Sequence, residues 1–545
     1  MQRITIVGAG VAGLSAGIYA ARSGFQTTIL EQHRVPGGLC TGWNRTIRGN
    51  RYTVEGCMHY VLGLTKGAFR TMWDELGIDR NVEPVTELFT IGREPQRRTI
   101  HCTTAKTRRR GDGSIAVCAD ARELGRRMLD RSPADRRAIE RFVRDIELFA
   151  GYDLPADTPA EIAPYRRIAT LLSRLGAAYG EFLVRFLATR FTSTRAYARR
   201  FRDPLLRWSV ARMGGYPDYP AAWTLFVLSR FHRGEAGFPH GGSLGLGYDL
   251  EEQFLRLGGT IRYRAAVRGL TTQDGRVTGV VLDDGSVVDS DAVICAGDLA
   301  AATNWAVTAG IGVAAQRRMI RRLSPATAVA QVSLAVRRVA SPAEPVEPTK
   351  QRSRVIYPSG GDGGALCGPQ VSRIVLRDYG SDPIAAPDGS NLITCQFETD
   401  FARWSDLGRT SSRYRAAKEA LAERAVELVR AVWPDLIGPT TVVDVSTPLT
   451  TERYTANASG SSQGFRPDRH GFAYAVCYRA RRGSGLYFAG HWLCPGGGIH
   501  RAAQSGRYAV GLLCHDAGVR PATSQAEPSS RRSTRARVPI LPPRR

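Results

Sequence analysis

The sequence predicts an α/β fold: a nucleotide-binding parallel sheet assembled from three separated stretches, with an α+β unit inserted between them. Three observations predict it. A strand, a glycine-rich turn and a helix open the chain, an acidic residue closes the next strand, and a strand, a triple-glycine turn and a small-residue helix stand near the far end. At 545 residues the chain has room for two or three domains of roughly 150 residues each.

The opening strand, Ile4-Thr5-Ile6-Val7, runs into Gly8-Ala9-Gly10-Val11-Ala12-Gly13 and a small-residue helix from Leu14 to Arg22. Gly8 permits the tight turn, Gly10 lets a pyrophosphate approach the backbone beside Ala12, and Gly13 lets helix and sheet pack closely. The helix N-terminus adds N–H donors and a positive dipole end. The next strand, Gln26 to Leu30, ends in Glu31, eighteen residues past Gly13, where a Rossmann-type unit places a carboxylate for the ribose hydroxyls. Six residues later stand Gly37-Gly38-Leu39-Cys40-Thr41, then Tyr52-Thr53-Val54-Glu55-Gly56-Cys57-Met58-His59-Tyr60. A second glycine pair lets the backbone pass close to the ribityl and pyrophosphate parts of an extended cofactor, so FAD is predicted rather than NAD.

These residues resemble the flavoprotein family of phytoene desaturases, carotenoid isomerases and retinol saturases, within the wider amine-oxidase-like superfamily. The resemblance continues through Pro239-His240-Gly241-Gly242-Ser243, a helix through Leu250 to Leu257, Gly258-Gly259-Thr260-Ile261, Val277 to Leu282, Asp283-Asp284-Gly285 and Ala292-Val293-Ile294-Cys295-Ala296-Gly297-Asp298. Thr447-Pro448-Leu449-Thr450 with Arg453-Tyr454-Thr455 matches a block of the bacterial branch. The resemblance implies a glutathione-reductase-like FAD domain, with Val267 meeting the adenine through its backbone and Gly297 on the strand that closes the sheet.

Leu486-Tyr487-Phe488-Ala489-Gly490-His491-Trp492 reads as a strand leaving the core, followed by Pro495-Gly496-Gly497-Gly498-Ile499 and a helix through Ala502, Ala503, Gly506 and Ala509. Glycines opening a helix present unobstructed N–H donors, which favour the negative charge of a reduced flavin near N1 and the C2 carbonyl. By resemblance, Gly490 and Gly496, Gly497, Gly498 and Ile499 form the flavin end. His59, after the Glu55-Gly56 pair, is the candidate catalytic residue, for proton transfer or substrate polarisation. A lone histidine also serves as a satisfied structural residue, and both readings stand. No metal site is expected, because the ten cysteines include no CxxC pair.

Recurrence of nucleotide-binding pieces divides the chain into FAD-binding parts at 1–75, 235–300 and 480–515, a helical, basic substrate part at 76–234, a second substrate part at 301–479, and a basic tail at 519–545 expected to be disordered. The second substrate part alternates strand-like runs, Val329 to Val336 and Asn391 to Phe397, with a helix from Tyr414 to Trp433. A sheet there would wall a substrate tunnel, and Ala340 to Gly368 reads as a mobile loop. Between Tyr165 and Met213 eleven arginines face only Glu181 and Asp203, interleaved with Leu171, Leu172, Leu175, Phe182, Leu183, Phe186 and Leu187 at helical spacing. Such helices suit either a core-facing stripe with a solvated arginine face or peripheral contact with anionic lipid over 165–213.

Net charge is +25, and only Lys66, Lys106, Lys350 and Lys418 are lysines. Arginine-biased composition or attraction to a polyanion would produce this balance; no nucleic-acid motif is present, so nucleic acid is not an expected partner. Reduced thiols suggest the cytosol, no signal-peptide architecture follows Met1, and no run reaches the roughly 18 apolar residues of a bilayer span. The expected location is cytoplasmic, including the inner face of the membrane.

The resemblance implies an FAD-dependent oxidoreductase for a long apolar, polyene-like or isoprenoid substrate, exchanging hydride between a carbon and flavin N5 in desaturation, saturation or redox-assisted isomerisation. Gly310-Ile311-Gly312 lacks a preceding strand and a third glycine, so electrons are expected to pass to or from an external partner. Two alternatives are an FAD-dependent amine oxidase and a non-catalytic prenyl-lipid carrier of the same fold. Leu39, where amine oxidases usually carry arginine, speaks against the first; the intact Gly496-Gly497-Gly498 turn speaks against the second.

Overall fold

A computed structural model describes residues 2–56, 58–93, 114–152, 177–337, 352–357, 373–380, 382, 384–434, 436, 438–469 and 476–522. The opening glycine motif sits at the centre of a five-stranded sheet, in the order Thr260–Tyr263, Gln26–Glu31, Arg3–Val7, Ala292–Cys295, Leu486–Phe488. All four pairings are parallel. The strands are short, and Ala292–Cys295 and Leu486–Phe488 are buried throughout, as befits a sheet covered on both faces, while the edge strand Thr260–Tyr263 is partly exposed. Helix Val11–Arg22 is buried from Val11 to Tyr19 and on to Ala20, because it packs between the sheet and helices Gly242–Arg256 and Ile499–Ala517. That is why it is apolar all round rather than amphipathic. Ser15 Oγ donates to the Ala503 carbonyl at 2.8 Å, and buried Glu75 accepts from Tyr19 Oη and, at 2.9 Å, from Arg507. These bonds lock the first and last segments of the chain together.

The second unit is built on a seven-stranded sheet in the order Thr440–Ser446, Ala328–Arg337, Ser390–Thr399, Ile374–Asp378, Arg352–Tyr357, Glu87–Arg93, Ser114–Cys118. Its pairings are antiparallel except that between Arg352–Tyr357 and Glu87–Arg93. Two sequence expectations are corrected here. The 76–234 stretch is not only helical, since it supplies two strands of this sheet, and the stretch read as a loop from Ala340 to Gly368 contains strand Arg352–Tyr357. The rest of that loop, Leu171, Leu172, Leu175, and residues 523–545 of the tail lie outside the described residues.

The two faces of this sheet differ chemically. Ala330, Val332, Leu334, Leu376, Cys395 and Phe397 on one face form a core with Leu421, Ala425, Leu428 and Val429 of helix Ser412–Val432. Ser411 caps that helix, its Oγ accepting from Tyr414 N at 3.0 Å. Because strand side chains alternate, the intervening residues point the other way. They form the floor of a large cavity.

Candidate active site

One cavity of about 3240 Å³ runs between the two sheets. Gly8, Gly10, Ala12, Glu31, Gly37, Gly38, His59, Val267, Gly297, Gly490, Gly496, Gly497, Gly498 and Ile499 all line it. Gly13 does not; it stands behind the turn, where an added Cβ would lie 1.9 Å from the Gly8 carbonyl oxygen. Its role is therefore close packing of helix on turn, as the motif requires.

At the nucleotide end, Gly37 N donates to the Ala9 carbonyl at 2.8 Å, fastening the second glycine pair onto the first turn. Glu31 is buried, and its carboxylate already accepts from Ala9 N at 2.7 Å and His33 N at 2.8 Å. Burial raises its pKa against the lowering by these bonds. The carboxylate that the sequence assigns to the ribose hydroxyls is thus also oriented by the main chain, and it borders the cavity. Helix Val11–Arg22 begins at Gly10 with no side-chain cap, so its N-terminal donors are left for a ligand.

At the opposite end, helix Ile499–Ala517 also begins without a side-chain cap, at Gly498. The turn before it is tightly braced. Gly496 N donates to the Phe465 carbonyl at 2.9 Å, and Gln463 Nε2 donates to the Gly496 carbonyl at 2.8 Å. Gly496 has φ +86°, and a Cβ there would lie 2.4 Å from the Trp223 ring, so glycine is required both by the backbone and by the indole. His500 is buried beside Phe69, ring centroids 4.6 Å apart. Burial, with Arg501 adjacent, pushes its pKa down to about 3.

His59 stands between these ends. Its side chain opens onto the cavity and is exposed there, and desolvation, Arg377 and Arg373 hold its pKa well below the usual histidine range. That direction favours the neutral imidazole. Tyr60 also borders the cavity, packed edge-on against Phe231 at 4.7 Å. Glu55, by contrast, is structural: its carboxylate accepts from Met58 N at 2.9 Å and Ser243 N at 2.8 Å, at the start of helix Gly242–Arg256.

Sequence reasoning missed the floor. Gln331, Arg373, Arg377, Gln396 and Glu398 line the cavity, with Tyr216 and Trp223 beside them. The signal was a polar residue at every second position of otherwise apolar strands, Ala330-Gln331-Val332-Ser333 and Cys395-Gln396-Phe397-Glu398.

An extended groove with an uncapped helix N-terminus at each end and a buried carboxylate at its border fits a flavin cofactor, and the space beyond it fits a second, organic reactant. Fold and site together define a flavoprotein oxidoreductase. The chain belongs to the family of flavin containing amine oxidoreductases, whose profile matches residues 11–514. It is 25% identical over 527 residues to a 4,4'-diapolycopene oxygenase of Methylomonas sp, covering 93% of this chain and 97% of that protein. It is 29% identical over 310 residues to a zeta-carotene-forming phytoene desaturase of Myxococcus xanthus, covering 55% and 54% of the two chains. Among solved structures, an oxidoreductase from Methanosarcina mazei shares the fold with a TM-score of 0.55 at 18% identity, over 93% of this chain and 99% of that one. A putrescine oxidase variant shares it with a TM-score of 0.54 at 14% identity, over 94% and 99%.

Proposed function

We propose that this chain is an FAD-dependent oxidoreductase acting on a long polyene or isoprenoid-like substrate. The observation that carries the reading is the single cavity of about 3240 Å³ shared by the cofactor residues and the floor. Drug-sized ligands occupy roughly 300–1,000 Å³; this volume holds an extended dinucleotide and a long substrate together. The names of the relatives, an oxygenase and desaturases of carotenoids, support the same substrate class. Bound FAD supplies hydride acceptance or donation. The chain's own residues do the rest: Glu31 and the Gly10 and Gly37-Gly38 turns hold the nucleotide, the Gly496–Ile499 turn favours negative charge at the ring, and neutral His59 holds or polarises a proton at the reacting end.

The test is mass spectrometry of lipid extracts from cells with and without the gene. A change of two hydrogens in a polyene gives the direction of transfer, and unchanged mass with altered retention shows isomerisation. Unaltered lipids, with purified protein that stays colourless in added FAD, would remove the proposal.

We also propose that the cavity takes substrate from an anionic membrane surface through helix Ala177–Arg190. Phe182 and Phe186 on this helix border the cavity, whereas Val184, Leu187 and Phe191 are 70%, 43% and 77% exposed. Val184 and Leu187 share one face of this helix, and Phe191 is the residue just past its end. Arg190 lies 5.4 Å over the Phe191 ring, and Arg195, Arg199 and Arg200 follow. Among the described residues no helix is long and apolar enough to cross a membrane, so the contact is interfacial. The protein is expected to sediment with phosphatidylglycerol vesicles and to be released by Val184→Ser/Leu187→Ser/Phe191→Ser, with the flavin spectrum unchanged. Equal sedimentation of the two proteins counts against it.

A further inference from the structure

We propose that the cavity receives a substrate with one carboxylate end, which docks on a polar strip of the seven-stranded sheet centred on Arg377. The inference rests on the polyene reading above and adds a chemical feature that a pure hydrocarbon lacks.

The strip follows from register. Gln331 lies opposite Gln396, Val375 opposite Gln396, and Val329 opposite Glu398. Two-residue alternation therefore sets Gln331, Gln396, Glu398, Arg373 and Arg377 on the cavity side, while the middle of the opposite side packs Ala330, Val332, Leu376, Cys395 and Phe397 into a core. A chamber for a hydrocarbon needs no such floor. Covering with CH₂ or C=C surface any of these groups that lacks a protein partner would strip it of water and return nothing.

Most of the strip is internally satisfied. Gln331 Nε2 donates to the Glu55 carbonyl at 2.8 Å, and Gln396 Nε2 donates to Gln331 Oε1 at 2.8 Å. The guanidinium of Arg373 pairs with Glu398 at 2.7 Å, which cancels its charge. Arg377 differs. Only 7% exposed, it gives Nη1 to the carbonyls of Met58 at 3.1 Å and His59 at 2.6 Å. Those are neutral acceptors, its Nε has no hydrogen-bond partner, and no carboxylate pairs with it among the described residues. A buried guanidinium without a counter-charge is costly, and an entering carboxylate removes that cost. The same geometry ties recognition to chemistry, because the main chain that Arg377 grips carries His59.

Flavin-loaded protein is titrated with a C20 polyene carboxylic acid, its methyl ester and the hydrocarbon of equal length, read by tryptophan fluorescence quenching. The acid is expected to bind at least about tenfold tighter than the ester, the size of one charge-assisted contact. Arg377→Gln is expected to erase that preference while leaving ester affinity within about twofold. Should Arg377→Gln not load flavin, Arg377→Lys serves in its place, with the preference reduced about threefold by loss of the planar fork. Acid and ester binding equally to the unaltered protein, or an undiminished preference in the variant that loads flavin, overturns the carboxylate site and leaves the polyene reading intact. No binding of acid, ester or hydrocarbon overturns both.

Discussion

Gly13→Val is expected to yield protein without bound flavin. An added Cβ at this position would lie 1.9 Å from the Gly8 carbonyl oxygen and 3.1 Å from its carbon, distances no relaxation of a side chain can relieve, since both atoms are backbone. The first turn of helix Val11–Arg22 must then lift away from strand Arg3–Val7. That helix is the inner layer between the sheet and the C-terminal helix, so the displacement reaches both ends of the cofactor groove. The cost is comparable with the roughly 5–15 kcal/mol that stabilises a whole domain. The visible flavin absorbance of the purified protein reports it. Gly511→Ala is the matched control: this glycine also sits inside a helix, but nothing lies within 4 Å of an added Cβ, and alanine there should stabilise by about 0.5–1 kcal/mol. Retention of flavin by the Gly13→Val protein at the unaltered level would break the link between this turn and the groove.

The contrast between Gly13 and Arg377 explains how far the sequence could be read. The nucleotide end is legible because its constraints are local: turn, helix start and ribose-side carboxylate all fall within residues 4–31, and each needs a particular residue type for backbone reasons. The C-terminal turn is legible on the same grounds. The floor is not, because its meaning depends on which face of a sheet becomes core. Gln331 and Gln396 are polar interruptions of apolar strands until helix Ser412–Val432 covers the opposite face; only then does the alternation declare a cavity. Strand Glu87–Arg93 was hidden for a related reason. It pairs in parallel with Arg352–Tyr357, a contact between distant segments that no local pattern announces, inside a stretch whose leucines and phenylalanines at helical spacing favour a helical reading. Glu31 shows the same limit in miniature: its place was legible, its bonds to Ala9 and His33 were not.

Acid is expected to destabilise the flavin end before the rest of the molecule. His500 and His491 flank the glycine turn, and burial pushes their pKa values down to about 3 and about 4. Both are therefore neutral in the folded protein while an unfolded chain takes up their protons near pH 6.5. Stability contributed by this difference is fully present above pH 6.5 and is lost as the pH falls toward 4. Each histidine costs up to about 1.4 kcal/mol per pH unit in that window, so the pair removes roughly 3–4 kcal/mol by pH 5. Glu31 works in the opposite sense, since a carboxylate raised by burial gains relative stability in acid, and it offsets part of the loss. Burial is the cause at both histidines, with the Arg501 charge adding to it at His500. His491 Nε2 lies 3.2 Å from Asn457 Oδ1, which already accepts from Trp492 Nε1 at 2.7 Å, and His500 Nδ1 is buried without a hydrogen-bond partner, beside the Arg501 charge. Among the described residues a second cation there gains no carboxylate partner. Melting of the flavin-loaded protein should shift down by several degrees between pH 7.5 and 5, with flavin fluorescence released ahead of the loss of helix signal. His500→Asn, neutral at every pH, should remove about half of the slope; a melting temperature that does not move between those pH values would contradict the assignment.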